Sequence, residues 1–404
     1  MLGDPRLVCE LRYATGATLL KYNSMSEKKN QHYVPQFYQR YISNDKKTVG
    51  VYILKSKKYI AKSPIKNQAS EDYFYSKDEH DTKIESALGK LEALSKDALD
   101  RIISNPKEKL SEQDNYTLYH FMMIQLGRTL SQANLMQELV DKISRNTVKA
   151  IVKLKKENGD TEDAKILTDD VLDSVQIKLK KPGIIALGTT IEIRALCIDL
   201  KCKILINNTK VDFVSSDNPV CFYDQFLEKM GDDTHGLGVK GLQLFLPLTP
   251  RIGVFYYDPV VYKLGDRKKT YVDVGNDNDV KELNKLVSAN ANEILIFNSA
   301  SYLPADFTNY SILHHRFSTK ELVESFTLES FDGRGPIIGN HTVTRYFRMK
   351  LSFVKLLPRY AVKEKNDYKP KDRFREIAYY KDELLKYSRQ IFRSKHNKAN
   401  ISGN

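Results

Sequence analysis

The sequence has few of the residues and spacings that point to a familiar chemistry. Its 404 residues include four cysteines, which form no CxxC pair and have no histidine partners at zinc spacing. HExxH, GxSxG and phosphate-loop spacings are also missing. We therefore expect reduced, structural thiols, and no common zinc, serine-hydrolase or nucleotide signature assigns a reaction.

Long apolar stretches are missing too. No run approaches the roughly 18 residues that a membrane span requires, so an integral membrane protein is not expected. Hydrophobic residues at 41% and charged residues at 28% are typical of a soluble globular chain rather than a disordered one. A chain of 404 residues would ordinarily hold two domains, or one large domain with appendages.

Acidic residues are scarce at one end of the chain. The net charge is +13, and from Arg345 to Asn404 there are 17 Lys and Arg against 6 Asp and Glu. This basic tail therefore carries +11, which leaves +2 for the preceding 344 residues. Tyrosine and phenylalanine are interleaved with its cations, so a single-stranded nucleic-acid partner fits the composition. The alternative is an amphipathic helix that packs its tyrosine face on the body. The candidate nucleic-acid-binding residues are Arg373, Arg375, Lys381, Lys386, Arg389 and Arg393.

Hydrophobic periodicity predicts, in chain order, a β-hairpin, a set of helices and a sheet. The spacing predicts a short helix over 35–41, a β-hairpin over 49–54 and 58–61, and helices over 81–103 and 111–143. Residues 144–200 are helical but irregular in pattern. Strands are predicted at 203–206, 211–214, 242–246, 252–257 and 294–297, with a helix over 279–291 before the last of them. The predicted fold is α+β, with an N-terminal β-hairpin, a helical layer, a mostly antiparallel sheet and a basic C-terminal appendage.

Two polar-aromatic blocks, at 31–41 and 69–76, interrupt the hydrophobic pattern near the start. We predict that they meet the two long helices in a polar pocket. Imidazole and carboxylate groups can bind a divalent metal or exchange protons, and arginines can clamp a phosphate. The candidate catalytic groups are His32, Glu71, Glu85 and Asp217. The candidate substrate-binding residues are Gln36, Arg40, Tyr75, Gln125, Arg128 and Asn218. The alternative is a structural network in which Arg40 and Arg128 pair with Glu71 and Glu85.

Asp217 and Asn218 follow a predicted strand and precede Pro219. A carboxylate at a strand end can face a cleft, but the same pattern is common in an Asx-turn, where the side chain only satisfies backbone groups. Both interpretations stay open. We expect the His32 and Asp217 blocks to meet where the helices join the sheet.

Several pieces of the chain resemble a known family. They are His32–Arg40, Lys66–Tyr75, Ile84–Glu92, Gln125–Thr129, Ser215–Val220 and Phe245–Pro250. In this order they resemble the bacterial family catalogued as domain of unknown function 4238, over roughly residues 31 to 300. Gln39, where an apolar residue is expected, and Thr249, where serine is usual, are mild departures. The resemblance implies a shared site and a cytoplasmic bacterial setting rather than an activity.

These observations divide the chain into an extension at 1–24, a family-like domain at 25–300, a connecting segment at 301–344 and the basic appendage at 345–404. Met25 is the expected biological start. Two functions remain open. One is a metal-dependent nuclease or other phosphoester-processing effector in stress or phage defence, with Mg²⁺ or Mn²⁺ as the expected metal. The other is a non-catalytic module that binds nucleic acid or a small anion.

Overall fold

The computed structural model describes residues 29–76, 83–158, 168–230, 236–302, 304–307, 310, 323–328, 337–342 and 348–361. The predicted extension at 1–24 and the six candidate tail residues between 373 and 393 lie outside this part of the chain. Within it the fold is α+β, as the sequence predicted.

The amino-terminal region is a hairpin framework around one short helix. Its elements are β1 (Asn30–His32), α1 (Gln36–Ile42), β2 (Thr48–Ile53), β3 (Lys58–Pro64), a 3₁₀ turn (Ile65–Asn67) and β4 (Ser70–Asp72). β2 and β3 form the predicted hairpin. β4 then returns antiparallel to β1, with Gln31 opposite Glu71. The hairpin thus brings the second polar-aromatic block beside the first, as predicted.

Helices form the next layer. They are α2 (Lys83–Ser104), α3 (Glu112–Gly127), α4 (Leu130–Glu157), α5 (Asp169–Ser174) and α6 (Pro182–Ile193), followed by a 3₁₀ turn (Arg194–Cys197). α2 buries Ile84, Leu88 and Leu91, which recur at helical spacing, whereas Leu94 is 46% exposed. Ser111 caps α3 by accepting the backbone N–H of Asp114 on its hydroxyl oxygen.

The prediction of one helix over 111–143 is wrong at its centre. α3 ends at Gly127, and Thr129 begins α4 by accepting the backbone N–H of Gln132. Gly127 also lies so close to α6 that a Cβ there would be 2.3 Å from Thr190 Oγ1. Threonine is a favoured N-cap residue, so the break is encoded locally. Its consequence is that Arg128 lies at a junction rather than inside a helix.

The second half supplies most of the sheet. Its elements are β5 (Lys201–Asn207), β6 (Ser215–Ser216), β7 (Cys221–Tyr223), α7 (Gln225–Met230), β8 (Gln243–Pro247), β9 (Ile252–Tyr257), β10 (Tyr262–Leu264), β11 (Tyr271–Val274), α8 (Asp277–Asn290) and β12 (Ile294–Phe297). Further along are a 3₁₀ turn (Pro304–Phe307), β13 (Val323–Leu328), β14 (Ile337–Thr342), β15 (Val354–Leu356) and α9 (Pro358–Ala361).

Two larger sheets organise these strands. One has the order β11-β5-β9-β8-β7 and the other the order β3-β2-β12-β6. The pairing is antiparallel except between β11 and β5, which run parallel. Smaller pairs are β1 with β4, β10 with β15 and β13 with β14. The mostly antiparallel sheet is therefore confirmed.

The prediction of a strand over 211–214 is wrong, because side chains replace the neighbouring strand. Asn207 Nδ2 donates to the Val211 carbonyl. Asn284, buried within α8, accepts the Val214 N–H and donates to the Asp212 carbonyl. These amides satisfy the backbone groups that a sheet ladder would otherwise pair.

The sheets separate two hydrophobic cores. Alternate residues of β2 face opposite sides: Val49 and Val51 join the core beneath the helices, whereas Tyr52 lies in the core beneath α8. Met349 and Leu351 bury their side chains in this second core. In the described part of the chain, no helix is both long enough and apolar enough to cross a membrane.

Candidate functional site

The front of the molecule is built on β1, α1 and β4. The backbone N–H of Tyr33 donates to the Ala69 carbonyl at 3.0 Å, which ties the start of α1 to the approach of β4. Buried Gln31 holds the residues after β4, because it accepts the Tyr75 N–H at 2.6 Å and donates to Ser76 Oγ at 2.6 Å. The two polar-aromatic blocks therefore form one unit whose polar groups fasten the chain to itself.

His32 uses both ring nitrogens within this unit. Its Nε2 lies 3.2 Å from the Lys66 carbonyl, and its Nδ1 lies 3.5 Å from Gln36 Nε2. The Nε2–H tautomer satisfies both contacts, since Nε2 then donates and Nδ1 accepts. Gln36 Oε1 in turn accepts from Arg40 at 3.0 Å, one helical turn further on. Burial lowers the pKa of His32 and is only partly opposed by the Lys66 carbonyl, so the neutral ring is favoured at pH 7.

Arg128 is the most enclosed cation of the front, with a side chain only 3% exposed. Its guanidinium donates to Glu92 Oε1 at 2.8 Å and to the His32 carbonyl at 2.7 Å, and Nε lies 3.4 Å from the Tyr75 hydroxyl. Tyr75 donates that hydroxyl to the Arg128 carbonyl at 2.6 Å. Burial alone would lower the pKa of Arg128, but Tyr75 and Glu92 raise it above its ordinary value. We call Arg128, Glu92, Tyr75 and His32 the Arg128 cluster.

Gln125, one turn before Arg128, is fully buried. Its Nε2 donates to the Tyr33 carbonyl at 3.0 Å. Gln125 near the end of α3 and Arg128 just after it therefore both meet the backbone of the first block. A polar side chain without a partner is costly in such a place. The two contacts satisfy Gln125 Nε2 and the Arg128 guanidinium, whereas Gln125 Oε1 has no hydrogen-bond partner within the described residues.

Asp217 is 1% exposed and binds backbone N–H groups of the turn before β12. Its Oδ1 accepts from Asn292 at 2.9 Å, and its Oδ2 accepts from Glu293 at 2.7 Å and from Ile294 at 3.3 Å. Burial raises the pKa of Asp217 to about 7, against the lowering effect of these hydrogen bonds. The geometry is that of a carboxylate that fixes a neighbouring turn.

Asn218 joins α8 to the junction of the helices. Its Nδ2 donates to the Asn290 carbonyl at 2.9 Å, and its Oδ1 accepts from Thr129 Oγ1 at 3.1 Å. Because Arg128 donates to the His32 carbonyl and the next residue donates to Asn218, the α3–α4 junction connects the His32 block with the Asp217 block. Asp217 also lies near enough to Tyr33 to add to the effect of burial, which raises the pKa of Tyr33.

The remaining acidic candidates are Glu71 and Glu85. Glu71 is exposed on β4, and Glu85 is half-buried in the first turn of α2, near enough to Tyr75 to raise its pKa, although burial is the largest cause. The partner of Arg128 on α2 is Glu92 rather than Glu85. Within the residues that the structure describes, no group of three or more His, Cys, Asp or Glu side chains is placed to hold a metal ion.

The site residues predicted from the sequence do not include a second cationic region, which the structure places around the β2–β3 hairpin. Residues 40–70 contain eight Lys and Arg against one Asp. All eight cations are exposed: Arg40, Lys46, Lys47, Lys55, Lys57, Lys58, Lys62 and Lys66. We call them the hairpin surface. A local charge count of the sequence carries this signal, since residues 40–70 have a net charge of +7 beside the +11 of the tail. Glu92, Gln31 and Thr129 were also missed as members of the front network.

Comparison with known proteins identifies a family for this chain but indicates no activity. A family model described as a protein of unknown function (DUF4238) matches residues 30–301, which is more than half of the chain. No curated protein and no solved structure matches the chain.

Proposed function

We propose that this chain, which belongs to the DUF4238 family of proteins of unknown function, is a non-catalytic module that binds nucleic acid through the hairpin surface. The carrying observation is that eight exposed cations share one hairpin and its flanks, and no ion pair to an acid is found for any of them within the described residues. Clustered cations that are not paired with acids are available to phosphates.

The single acid of the segment does not neutralise this surface. Asp45 accepts the backbone N–H groups of Lys47 and Thr48 at 2.8 and 2.7 Å, and the Thr48 hydroxyl at 2.6 Å. Its carboxylate thus stabilises the turn before β2. Since residues 1–344 carry +2 and residues 40–70 carry +7, the rest of that stretch carries −5. The net positive charge of residues 1–344 is therefore concentrated in the hairpin segment, and a polyanion would be drawn to it.

Two groups of cations mark the ends of the hairpin. Lys55, Lys57 and Lys58 lie at its tip, and Arg40 is at the other end, where Lys46 Nζ donates to the Arg40 carbonyl at 3.0 Å. β2 is six residues long, so the groups are separated by roughly 17 Å at about 3.4 Å per residue. Charges spread over that length fit an extended row of phosphates rather than one small anion.

The proposal places phosphate binding on the hairpin surface and not on Arg128. The guanidinium of Arg128 is already bound to Glu92 and to the His32 carbonyl, so a phosphate would have to displace a buried partner. The proposal includes no hydrolysis, because the observation that supports it is a cluster of charges and not a catalytic group. The basic tail remains a proposed second contact with the same polyanion.

The test is a fluorescence anisotropy titration of the full-length chain with labelled RNA and DNA at fixed ionic strength. The variant Lys55→Gln/Lys57→Gln/Lys58→Gln should bind about tenfold or more weakly, because three phosphate contacts are lost. The matched control is Lys201→Gln/Lys263→Gln/Lys268→Gln, which removes three exposed lysines elsewhere in the described chain and should bind like the wild type.

Equal affinities of the two triple variants would overturn the proposal. That outcome would indicate that Lys58 and Lys62 only keep the edge strand β3 from pairing with other chains. Parallel samples with Mg²⁺ or Mn²⁺ are resolved on a denaturing gel. Metal-dependent cleavage would contradict the non-catalytic assignment and support the nuclease alternative.

A further inference from the structure

The aromatic residues of the hairpin region face the protein rather than solvent. Tyr52 stacks on Phe307 with ring centroids 5.0 Å apart. Tyr59 lies between Phe297 and Phe307 and donates its hydroxyl to the Tyr302 carbonyl. Tyr41 donates its hydroxyl to Asp100 at 2.7 Å. Tyr52 is buried and Tyr41 and Tyr59 are half-buried, and no other aromatic residue occurs within 40–70, so this segment offers its cations no fully exposed ring on which a base could stack.

Recognition of single strands normally needs such rings. Proteins that bind unpaired nucleic acid combine a positive groove with aromatic side chains, and stacking adds about 1–3 kcal/mol per base. A surface that has only cations gains its affinity from the release of counterions. That gain grows with the charge density of the polyanion, and a duplex carries about one charge per 1.7 Å of axis.

From these observations we infer that the hairpin surface binds the phosphates of double-stranded nucleic acid without reading its bases. This inference rests on the proposed function and names its substrate class. The roughly 17 Å between the two cation groups covers about five base-pair steps at about 3.4 Å each. The framework beneath the cations is rigid, because β2 is hydrogen-bonded to β12 as well as to β3. Cations carried on a fixed backbone suit the regularly spaced phosphates of a duplex.

The experiment compares a duplex with its own single strands, using the full-length chain and the two triple-lysine variants from 50 to 200 mM salt. The basic tail is present in all of them, so the loss caused by Lys55→Gln/Lys57→Gln/Lys58→Gln isolates the hairpin. For the duplex, this variant should lower the slope of log K against log salt by up to about 2.7, since each phosphate contact contributes about 0.9. For single strands the slope should fall less, by up to about 2.1.

A second duplex with a permuted sequence completes the design. The expected result is that both duplexes lose affinity about tenfold or more in the hairpin variant and that the wild type binds them equally. Duplex phosphate recognition is overturned if the hairpin variant loses as much affinity for single strands as for the duplex, or more. It is also overturned if permutation of the sequence changes the wild-type affinity tenfold. In both cases the proposed nucleic-acid binding itself still stands. If the hairpin variant binds every probe like the wild type, the proposed function fails too. Circular dichroism and melting of each variant confirm that it is folded.

Discussion

The Arg128 cluster and the hairpin surface place cations in opposite environments, the first buried and the second exposed. Arg128 is 3% exposed and has an acid, a carbonyl and a hydroxyl around its guanidinium. Arg40 is exposed, and its guanidinium contact is the neutral amide of Gln36. Burial separates the two roles, because a buried charge must be paired, whereas an exposed one remains available to a partner. A positive residue in a site-like motif is therefore not by itself evidence of a binding site.

The largest effect expected from this comparison is on stability. Arg128→Ala should lower the free energy of unfolding by about 3–5 kcal/mol, because it leaves Glu92 and the His32 carbonyl without their buried donor. Urea denaturation measures it. The control is Arg101→Ala, which breaks the more exposed ion pair with Asp114 and should cost about 1 kcal/mol or less. A loss below about 1 kcal/mol at Arg128 would contradict its structural role.

The next effect is a pH dependence at Asp217. Burial raises the pKa of this carboxyl to about 7 in the folded state, from 3.8 ordinarily. The folded protein therefore binds this proton more tightly than the unfolded chain, so the associated stability is present below about pH 4 and is lost as the pH rises towards 7. Asp217→Asn cannot titrate and keeps one acceptor for the turn at 292–294. Relative to this variant, the wild type should lose stability from pH 4 to 7.

Urea midpoints of the wild type and of Asp217→Asn across that range test the prediction, and the difference between the two proteins isolates Asp217 from other titrating groups. A difference that stays constant with pH would show that Asp217 has an ordinary pKa. A wild type that gains stability relative to the variant as the pH rises would indicate instead that the three N–H donors outweigh burial.

The smallest effect on stability is expected at Arg40. Arg40→Gln should change the free energy of unfolding by no more than about 0.5 kcal/mol, because the side chain is exposed. It should nevertheless weaken duplex binding a few-fold, since one phosphate contact is lost. Thermal melting and anisotropy on the same preparation measure both quantities. A marked loss of stability with unchanged affinity would assign Arg40 to the Arg128 cluster and remove it from the hairpin surface.

Local patterns predicted much of the fold. Hydrophobic periodicity led to the β2–β3 hairpin and to the first long helix. The break at Arg128 was missed because Thr129, a good cap, lies within a continuous apolar pattern. The segment 211–214 was misassigned because its backbone partners include the side chain of Asn284, some 70 residues away in the chain. Such tertiary contacts leave no local signature.

The candidate site shows the same limit. The sequence identified polar residues that the fold does bring to one junction, including His32, Arg128 and Asn218. It did not identify their partners, since Glu85 and Glu92 lie on nearly the same face of α2 and spacing alone could not choose between them for Arg128. Nor could the pattern predict that Asp217 would bind three backbone N–H groups of a turn about 75 residues later.

The most direct measurement compares the two cationic regions in one binding assay. Duplex affinity is measured for Arg128→Lys, which preserves the buried charge, and for Lys55→Gln/Lys57→Gln/Lys58→Gln, after melting curves show that both are folded at the assay temperature. We expect Arg128→Lys to bind like the wild type and the hairpin variant to bind about tenfold or more weakly. Weak binding by Arg128→Lys together with normal binding by the hairpin variant would contradict the account, because it would place the interface at the Arg128 cluster.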